Sequence, residues 1–382
     1  MKTHIQRPYR IGLDARFFRS ETAGLGRYSR ELITHLAHID QYNEYTVFLT
    51  PKDMEEWDIV QANFIPFVVD ASHYTLAEQT RFLTVLNKQK FDLVHFLNFN
   101  HPLLYRRPFI TTLHDLTLYF FPSGRSKSSA VRRAAFKAII SHSVRAAARV
   151  IAISEHTAED AEKHLHMPHA KMEVIYNGGA DIVELPFGNK AMIQEYLKTR
   201  EPYFLFLSEW RPYKGLVTLI DAFDLFKADT KQGHKLVLAG KHSKNVEEMM
   251  ERIARSPFRD DIITPGFVPE DLLPSLYRNS VAFICASEYE GFGIPVLEAM
   301  AHQAPVIAAD NSSIPEVVGS AGLLFPTRDS AALAERMKEL IADPKLREAL
   351  IEKGRQQLRK FSWAKMAEKT HRLYLNVLEK RH

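Results

Sequence analysis

The stretch Ser287-Glu288-Tyr289-Glu290-Gly291-Phe292-Gly293-Ile294-Pro295-Val296-Leu297-Glu298-Ala299-Met300 decides the reading of this chain. It follows the apolar run Val281-Ala282-Phe283-Ile284-Cys285, which reads as a buried strand. Two glycines flank an aromatic ring, then come a proline and a helix-like pattern, so the segment reads strand–loop–helix. Pro295 suits a first helical turn, where its missing N–H costs nothing. The glycines let backbone N–H groups approach a ligand, and a helix N-terminus favours an anion. Glu290 falls on the loop and Glu298 inside the helix. A carboxylate beside an anion would be repelled, so the two glutamates are expected to bind hydroxyls. Phosphate and polyol together describe a nucleotide sugar.

Working outward, apolar strand-like runs alternate with helical patterns along the whole chain. Residues 11–14, 45–49, 91–96, 109–113, 150–153 and 172–176 read as strands of a first half, with helices over 26–37, 76–89 and 128–148. Turn formers then cluster over 177–181 and 186–189, a linker candidate. The alternation restarts at 203–207, 235–239, 262–263, 281–285, 305–308 and 322–325. This pattern predicts an α/β protein of two doubly wound, Rossmann-like parallel-sheet domains. Ligands of such sheets bind beyond the carboxyl ends of the strands, so the cleft between two facing halves is the expected site.

Composition narrows the class. The chain has 382 residues, with 50 Lys and Arg against 46 Asp and Glu, a net charge of +4. That excess is too small to imply a nucleic-acid partner. The single cysteine, Cys285, lies in an apolar run, which excludes an intrachain disulfide framework and disfavours a cysteine metal site. No His, Cys and Glu cluster has metal-ligand spacing, so no metal is expected. Residues 1–10 lack an apolar signal core, and no apolar run approaches the roughly 20 residues that span a bilayer. A cytoplasmic protein is expected.

Three further motifs sit at strand ends. Ala23-Gly24-Leu25-Gly26-Arg27-Tyr28 follows the opening strand, where Gly24 and Gly26 open a path to a helix start; the plain alternative is a tight turn. In Ser208-Glu209-Trp210-Arg211-Pro212-Tyr213-Lys214-Gly215, Arg211 can fork onto phosphate oxygens while Lys214 acts as a point charge. The alternative is a solvated basic loop. His114, in Thr111-Thr112-Leu113-His114-Asp115, can face a sugar or serve as a base, or it is a structural histidine held by Asp115. Nearby, Asn98 and Asn100 carry amides that suit sugar hydroxyls.

Residues 116–154 contain no Asp or Glu but hold Arg125, Lys127, Arg132, Arg133, Lys137, Arg145 and Arg149. Val131, Ala134, Ala135, Ala138 and Ile139 fall at helical spacing among them. Over 125–149 this reads either as a basic amphipathic helix on an anionic membrane surface or as a packed helix with a solvated face.

In this order the pieces resemble the retaining glycosyltransferases of family 4, with their two-domain GT-B fold. The resemblance rests on the 290–300 motif, on Ala304-Pro305-Val306-Ile307-Ala308 and Ser312-Ser313-Ile314-Pro315-Glu316, and on Gly24–Tyr28, His114-Asp115 and 211–215. It implies an N-terminal acceptor-side domain over 1–185, completed by a last helix over about 364–382, and a nucleotide-sugar domain over 200–363. It implies Glu290 near the donor sugar and Glu298 on ribose hydroxyls. Phe292, Gly293, Ile294, Pro295 and Val296 would present backbone to sugar and phosphate. Arg211 and Lys214 would hold the diphosphate, with Gly24 and Gly26 completing the pocket and His114 touching the sugar. Two positions depart from the family pattern: Glu209 stands where an arginine is frequent, and Gln303 where glycine is.

The activity this implies is metal-independent, retaining transfer of a hexose, with mannose from GDP-mannose favoured. The acceptor would be a saccharide or lipid-linked saccharide in cell-surface polysaccharide synthesis. A UDP-sugar epimerase of the same fold and a catalytically silent nucleotide-sugar-binding protein are the alternatives.

Overall fold

Continuous apolar runs buried on both faces are the mark of parallel strands, and two such sheets organise the chain. In a computed structural model that describes residues 7–121, 128–179, 190–242 and 246–380, the first sheet holds seven strands. They are β1 (Arg10–Asp14), β2 (Glu44–Leu49), β3 (Phe64–Val68), β4 (Leu93–Phe96), β5 (Phe109–Leu113), β6 (Arg149–Ala152) and β7 (Met172–Val174). Their order is β3-β2-β1-β4-β5-β6-β7, and every pair is parallel. The second sheet holds β8 (Tyr203–Leu207), β9 (Lys235–Ala239), β10 (Ile262–Gly266), β11 (Ala282–Cys285), β12 (Val306–Ala309) and β13 (Gly322–Phe325). It runs β10-β9-β8-β11-β12-β13, again all parallel.

Each sheet belongs to its own unit. The first runs to Gly178 and resumes at Trp363, and the second is Gly179–Ser362. The helices used below are α1 (Ala23–Ile39), α2 (Ser128–Ala146), α3 (Leu216–Thr230), α4 (Ile294–Ala301) and α5 (Trp363–Glu379). The expected linker residues 180–189 lie outside the described residues.

Polar bonds within the first unit fix the return of α5. His371 Nε2 lies 2.8 Å from Asp40 Oδ2, beyond the end of α1. The Tyr374 hydroxyl lies 2.5 Å from His95 Nδ1 on β4. Gly178 meets Trp363 so closely that an added Cβ would sit 2.3 Å from the indole Cγ, so only glycine allows that contact.

In each sheet the strand order reverses once, between β1 and β4 and between β8 and β11. Such a reversal opens a crevice at the carboxyl ends, because the flanking loops diverge to opposite faces. One strand departs from expectation. β3 was not read from the sequence, because Pro66 interrupts it and Ile65 and Val68 are exposed at the sheet edge. The helix expected over 76–89 is a π-helical segment at Glu78–Phe82 followed by a helix at Leu83–Gln89. Gln303 takes φ +60°, the conformation glycine adopts freely.

Candidate active site

The loops leaving β8 and β11 meet at the switch point of the second sheet. After β8, a short turn at Pro212–Lys214 ends on Gly215 at φ +71°. A Cβ there would lie 1.9 Å from the Ala286 carbonyl oxygen, so only glycine lets the two loops touch. The Glu288 N–H donates to the Tyr213 carbonyl at 2.7 Å and locks the same approach. The result is a contact between residues 76 apart in sequence: Lys214 Nζ donates to Glu290 Oε1 at 2.6 Å. The Ser287 hydroxyl donates to the same oxygen at 2.6 Å.

A third loop, after β12, grips the backbone around Glu290. The Glu290 N–H donates to Ser312 Oγ at 3.0 Å. Ser313 Oγ donates to the carbonyls of Glu290 and Phe292 at 2.9 and 3.0 Å. Asn311 Nδ2 donates to the Ser287 carbonyl at 2.9 Å. Lys214 and Glu290 keep only 14% and 18% of their side chains exposed, so the pair is weakly screened by solvent. Burial pulls the Lys214 pKa down, but the adjacent Glu290 carboxylate outweighs it and leaves the ammonium above its ordinary value. Lys214 is therefore charged at neutral pH. Burial, with Glu290 beside it, pushes the Cys285 thiol up to about 12, which suits a core residue and not a nucleophile.

The two expected phosphate cations are not brought together on one partner. Arg211 forks back onto Glu209 at 3.0 Å on the exposed side of its loop. The residue standing where the family often has arginine thus neutralises the arginine that is present. Glu298, in α4, accepts from the Tyr277 hydroxyl at 3.1 Å.

The backbone expected over 292–296 needs correction. Pro295 has no N–H, and the Val296 N–H is spent on the Gly293 carbonyl at 3.0 Å. Gly293, at φ +105°, and Ile294 stand at the start of α4, ahead of its first intrahelical bond. Phe292 is buried, with its ring against Phe361 at 5.6 Å.

In the first unit, Gly24 and Gly26 lie within the first turn of α1 and not in a loop before it. Gly24 has open space around its Cα, whereas a Cβ on Gly26 would fall 2.2 Å from the Arg19 carbonyl oxygen. Gly26 is thus required by packing. His114, one residue past β5, bonds through Nε2 to the Leu97 carbonyl at 2.8 Å, so that nitrogen carries the proton. Asp115 does not hold it and accepts instead from the Thr117 N–H. Burial lowers the His114 pKa to about 4, leaving a neutral ring whose Nδ1 is an acceptor.

Tyr28 meets His114 edge-on at 4.7 Å. It begins a buried chain in which its hydroxyl lies 2.9 Å from Thr112 Oγ1 and Thr112 lies 2.8 Å from His95 Nε2, which continues to Tyr374. Sequence reading also missed a buried ionic group at the end of β1. Arg16 bonds Asp14 at 2.7 and 2.8 Å, Glu78 at 2.9 Å and the Ala71 carbonyl at 2.6 Å. Two charges placed directly after an apolar strand, Asp14 and Arg16, were the available signal.

The basic segment forms α2 from Ser128 onward; Arg125 and Lys127 lie outside the described residues, as do the side chains of Arg132 and Arg133. Ile140, Ser143 and Val144 are buried while Lys137 and Arg145 face outward. Lys137 lies 5.3 Å from the Tyr119 ring centre, and Arg145 reaches the Leu165 carbonyl. Among the described residues no helix is long and apolar enough to cross a membrane, and no group of three or more His, Cys, Asp or Glu could hold a metal ion.

Comparison with known proteins assigns the class. The model described as Glycosyltransferase Family 4 matches residues 22–178, and that described as Glycosyl transferases group 1 matches residues 189–357, one on each sheet. The chain belongs to the glycosyltransferases of this family, and its two parallel-sheet units are those of the GT-B fold. Among relatives, it is 26% identical over 369 residues to the O-antigen chain mannosyltransferase B of Escherichia coli, covering 92% of this chain and 95% of that one. Among solved structures, sucrose-phosphate synthase from Thermosynechococcus elongatus aligns at a TM-score of 0.77 with 20% identity, over 97% of this chain and 100% of that one. Anabaena Alr3699/HepE in complex with UDP-glucose aligns at 0.75 with 19% identity, over 96% and 100%.

Proposed function

We propose that this glycosyltransferase moves a hexose from a nucleoside-diphosphate sugar to a saccharide or lipid-linked saccharide, retaining the anomeric configuration and using no metal. The observation that carries the reading is the Lys214–Glu290 pair at the switch point of the second sheet. Lys214 supplies a charged point donor for the diphosphate. The start of α4 at Gly293 and Ile294 supplies backbone donors, and Glu290 supplies an acceptor for a sugar hydroxyl. Glu298 is assigned to the ribose hydroxyls, and His114, as a neutral acceptor, to a hydroxyl of the sugar.

Chemically, the C1–O bond to the diphosphate breaks as the acceptor oxygen bonds C1 from the same face. The acceptor's proton passes to the departing phosphate oxygen, so no dedicated base is required. Charge building on the leaving group is what Lys214 and the backbone donors stabilise, worth about 3–4 kcal/mol for one well-placed donor. Arg211, bound to Glu209, joins only if the nucleotide draws it away.

Mannose is favoured as the sugar and GDP as the carrier, supported by the likeness to a mannosyltransferase of O-antigen synthesis. The UDP-glucose bound by the HepE neighbour keeps UDP sugars in the test. A peripheral contact of 125–149 with anionic membrane belongs to the same reading, since a lipid-linked acceptor would lie there. Thermal-shift screening of GDP, UDP and their sugars, followed by turnover with and without acceptor, is the test. Transfer only with acceptor supports it; conversion of the donor alone into an isomer identifies an epimerase, and nucleotide binding with neither transfer nor hydrolysis identifies a silent binder.

A further inference from the structure

Glu298 projects from the second turn of α4, and its carboxylate is bound from a neighbouring element of the same unit. The Tyr277 hydroxyl lies 3.1 Å from Glu298 Oε2. A carboxylate only accepts, so the hydroxyl is the donor. Tyr277 belongs to the short helix Leu273–Arg278, between β10 and β11, and is 1% exposed. A buried tyrosine hydroxyl ordinarily finds a partner. Here the partner is a residue of the candidate site.

The hydroxyl is held rigidly. The Tyr277 ring stacks on His302 with centres 5.7 Å apart and meets the Phe283 ring of β11 edge-on at 5.5 Å. The Tyr277 carbonyl accepts from the Ser280 N–H at 3.0 Å and from the Ser280 hydroxyl at 2.7 Å. His302 follows Glu298 by four residues, and its N–H donates to the Glu298 carbonyl at 3.0 Å. Residues four apart share one helix face, so Tyr277 spans that face, with its ring on His302 and its hydroxyl on Glu298. A tyrosine has only two χ angles, and a ring wedged between two others keeps both fixed. Glu298 is half-buried and has three χ angles to order. Ordering such a side chain only when a ligand arrives weakens binding by about three- to tenfold.

We propose that Tyr277 is a positioning residue: it holds Glu298 in the rotamer that accepts from the ribose hydroxyls, and so sets the preference for a ribonucleotide. This rests on the assignment of Glu298 to the ribose. Glu298 lies one turn past Ile294, roughly 6 Å along the helix axis. A nucleotide whose diphosphate meets the start of α4 therefore carries its ribose within reach of the carboxylate. In this role Tyr277 touches no ligand and acts only through Glu298. Were Glu298 there only to satisfy a buried hydroxyl, the pair would affect melting temperature and leave the ribose preference alone.

The test is isothermal titration of the full chain with GDP, UDP and their 2′,3′-dideoxy counterparts. In the wild type the ribonucleotide binds more tightly than its dideoxy form by about tenfold or more, as loss of bonds to a charged group implies. Tyr277→Phe keeps the ring between His302 and Phe283, so it folds. It weakens the ribonucleotide by about three- to tenfold and leaves the dideoxy form unchanged. Glu298→Gln removes most of the preference, and Tyr277→Phe added to it changes affinity no further, because both act through one carboxylate. The proposal is overturned if Tyr277→Phe keeps the full ribose preference, if it weakens both forms equally, or if its effect persists in the Glu298→Gln background. Equal binding of the two forms by the wild type overturns it together with the ribose assignment, while the nucleotide-sugar reading stands. Binding of none of the four ligands by the wild type sinks that reading, and the proposal with it.

Discussion

Replacing Lys214 with methionine keeps the length of the side chain and removes its charge. The ammonium sits 2.6 Å from Glu290 Oε1, with little solvent on either side. At an effective dielectric near 20, two unit charges about 4 Å apart interact by roughly 4 kcal/mol, the gross attraction Lys214 can offer either Glu290 or a phosphate. The net effect on folding is far smaller. Desolvation opposes the pair, and Glu290 keeps its bond from Ser287, so Lys214→Met is expected to destabilise by about 1–2 kcal/mol. Catalysis should suffer more, because charge on the leaving diphosphate grows in the transition state. A loss of about 100- to 1,000-fold in kcat/KM corresponds to removing one such donor. Glu290→Gln supplies the opposite sign: it frees Lys214 from its resting partner, so nucleoside diphosphate should bind more tightly while transfer slows. The assay is release of nucleoside diphosphate from the donor selected by thermal shift, with denaturant unfolding of each variant and of the double variant. A folded Lys214→Met within threefold of wild-type kcat/KM, or a Glu290→Gln that weakens diphosphate binding, would refute the assigned roles.

Gly215→Ala forces a Cβ toward the Ala286 carbonyl at positive φ. It should cost at least about 2 kcal/mol and abolish nucleotide-induced thermal shifts by parting the β8 and β11 loops, read by melting with and without GDP and UDP. Asp40 tests the α5 anchor by pH. Burial raises its pKa, but bonds from His371, Tyr45 and Asn43 outweigh that and hold it well below the usual carboxylate range. A depressed folded pKa stabilises above the unfolded value, near pH 4, and the gain is lost as pH falls below it. Asp40→Asn should therefore lower stability by about 2 kcal/mol at neutral pH, with the gap closing toward pH 2 in urea titrations. For the basic helix, flotation with acidic liposomes should show binding at low salt that disappears at high salt; binding absent at low salt would end the membrane contact.

Much of the fold was legible because the strands are buried on both faces. The runs ending at Leu113, Leu207 and Ala239 carry no competing period, and they became β5, β8 and β9 with the expected bounds; the run ending at Phe325 also became β13 as expected, although it is an edge strand buried only at Phe325. β3 failed for the converse reason: an edge strand need bury only part of itself, so Pro66 and two exposed apolar residues were tolerated without leaving a readable pattern. The start of α1 was placed too late because Gly24 and Gly26 read as loop formers. The glycine at 26 is required because the preceding turn folds the Arg19 carbonyl and the Thr22 hydroxyl against it, a close approach that helix propensity does not express.

Individual residues of the candidate site could be named from the sequence, but their partnerships could not. Nothing local tells Lys214 that Glu290 is its neighbour; that follows from β8 lying beside β11, a fact of strand order. Arg211 shows the opposite case, since Glu209 two residues away was visible throughout, and an opposite charge on the same loop competes with any ligand for it. The buried Asp14–Arg16–Glu78 group combines both difficulties. Its carboxylates are 64 residues apart, joined only when the segment after β3 folds over the end of β1. The two switch points therefore differ by how their cations are committed. Lys214 holds one carboxylate and keeps some solvent access. Arg16 holds two carboxylates and a carbonyl with no solvent access. The same strand order around each reversal thus places a partly exposed cation after β8 and a fully buried one after β1.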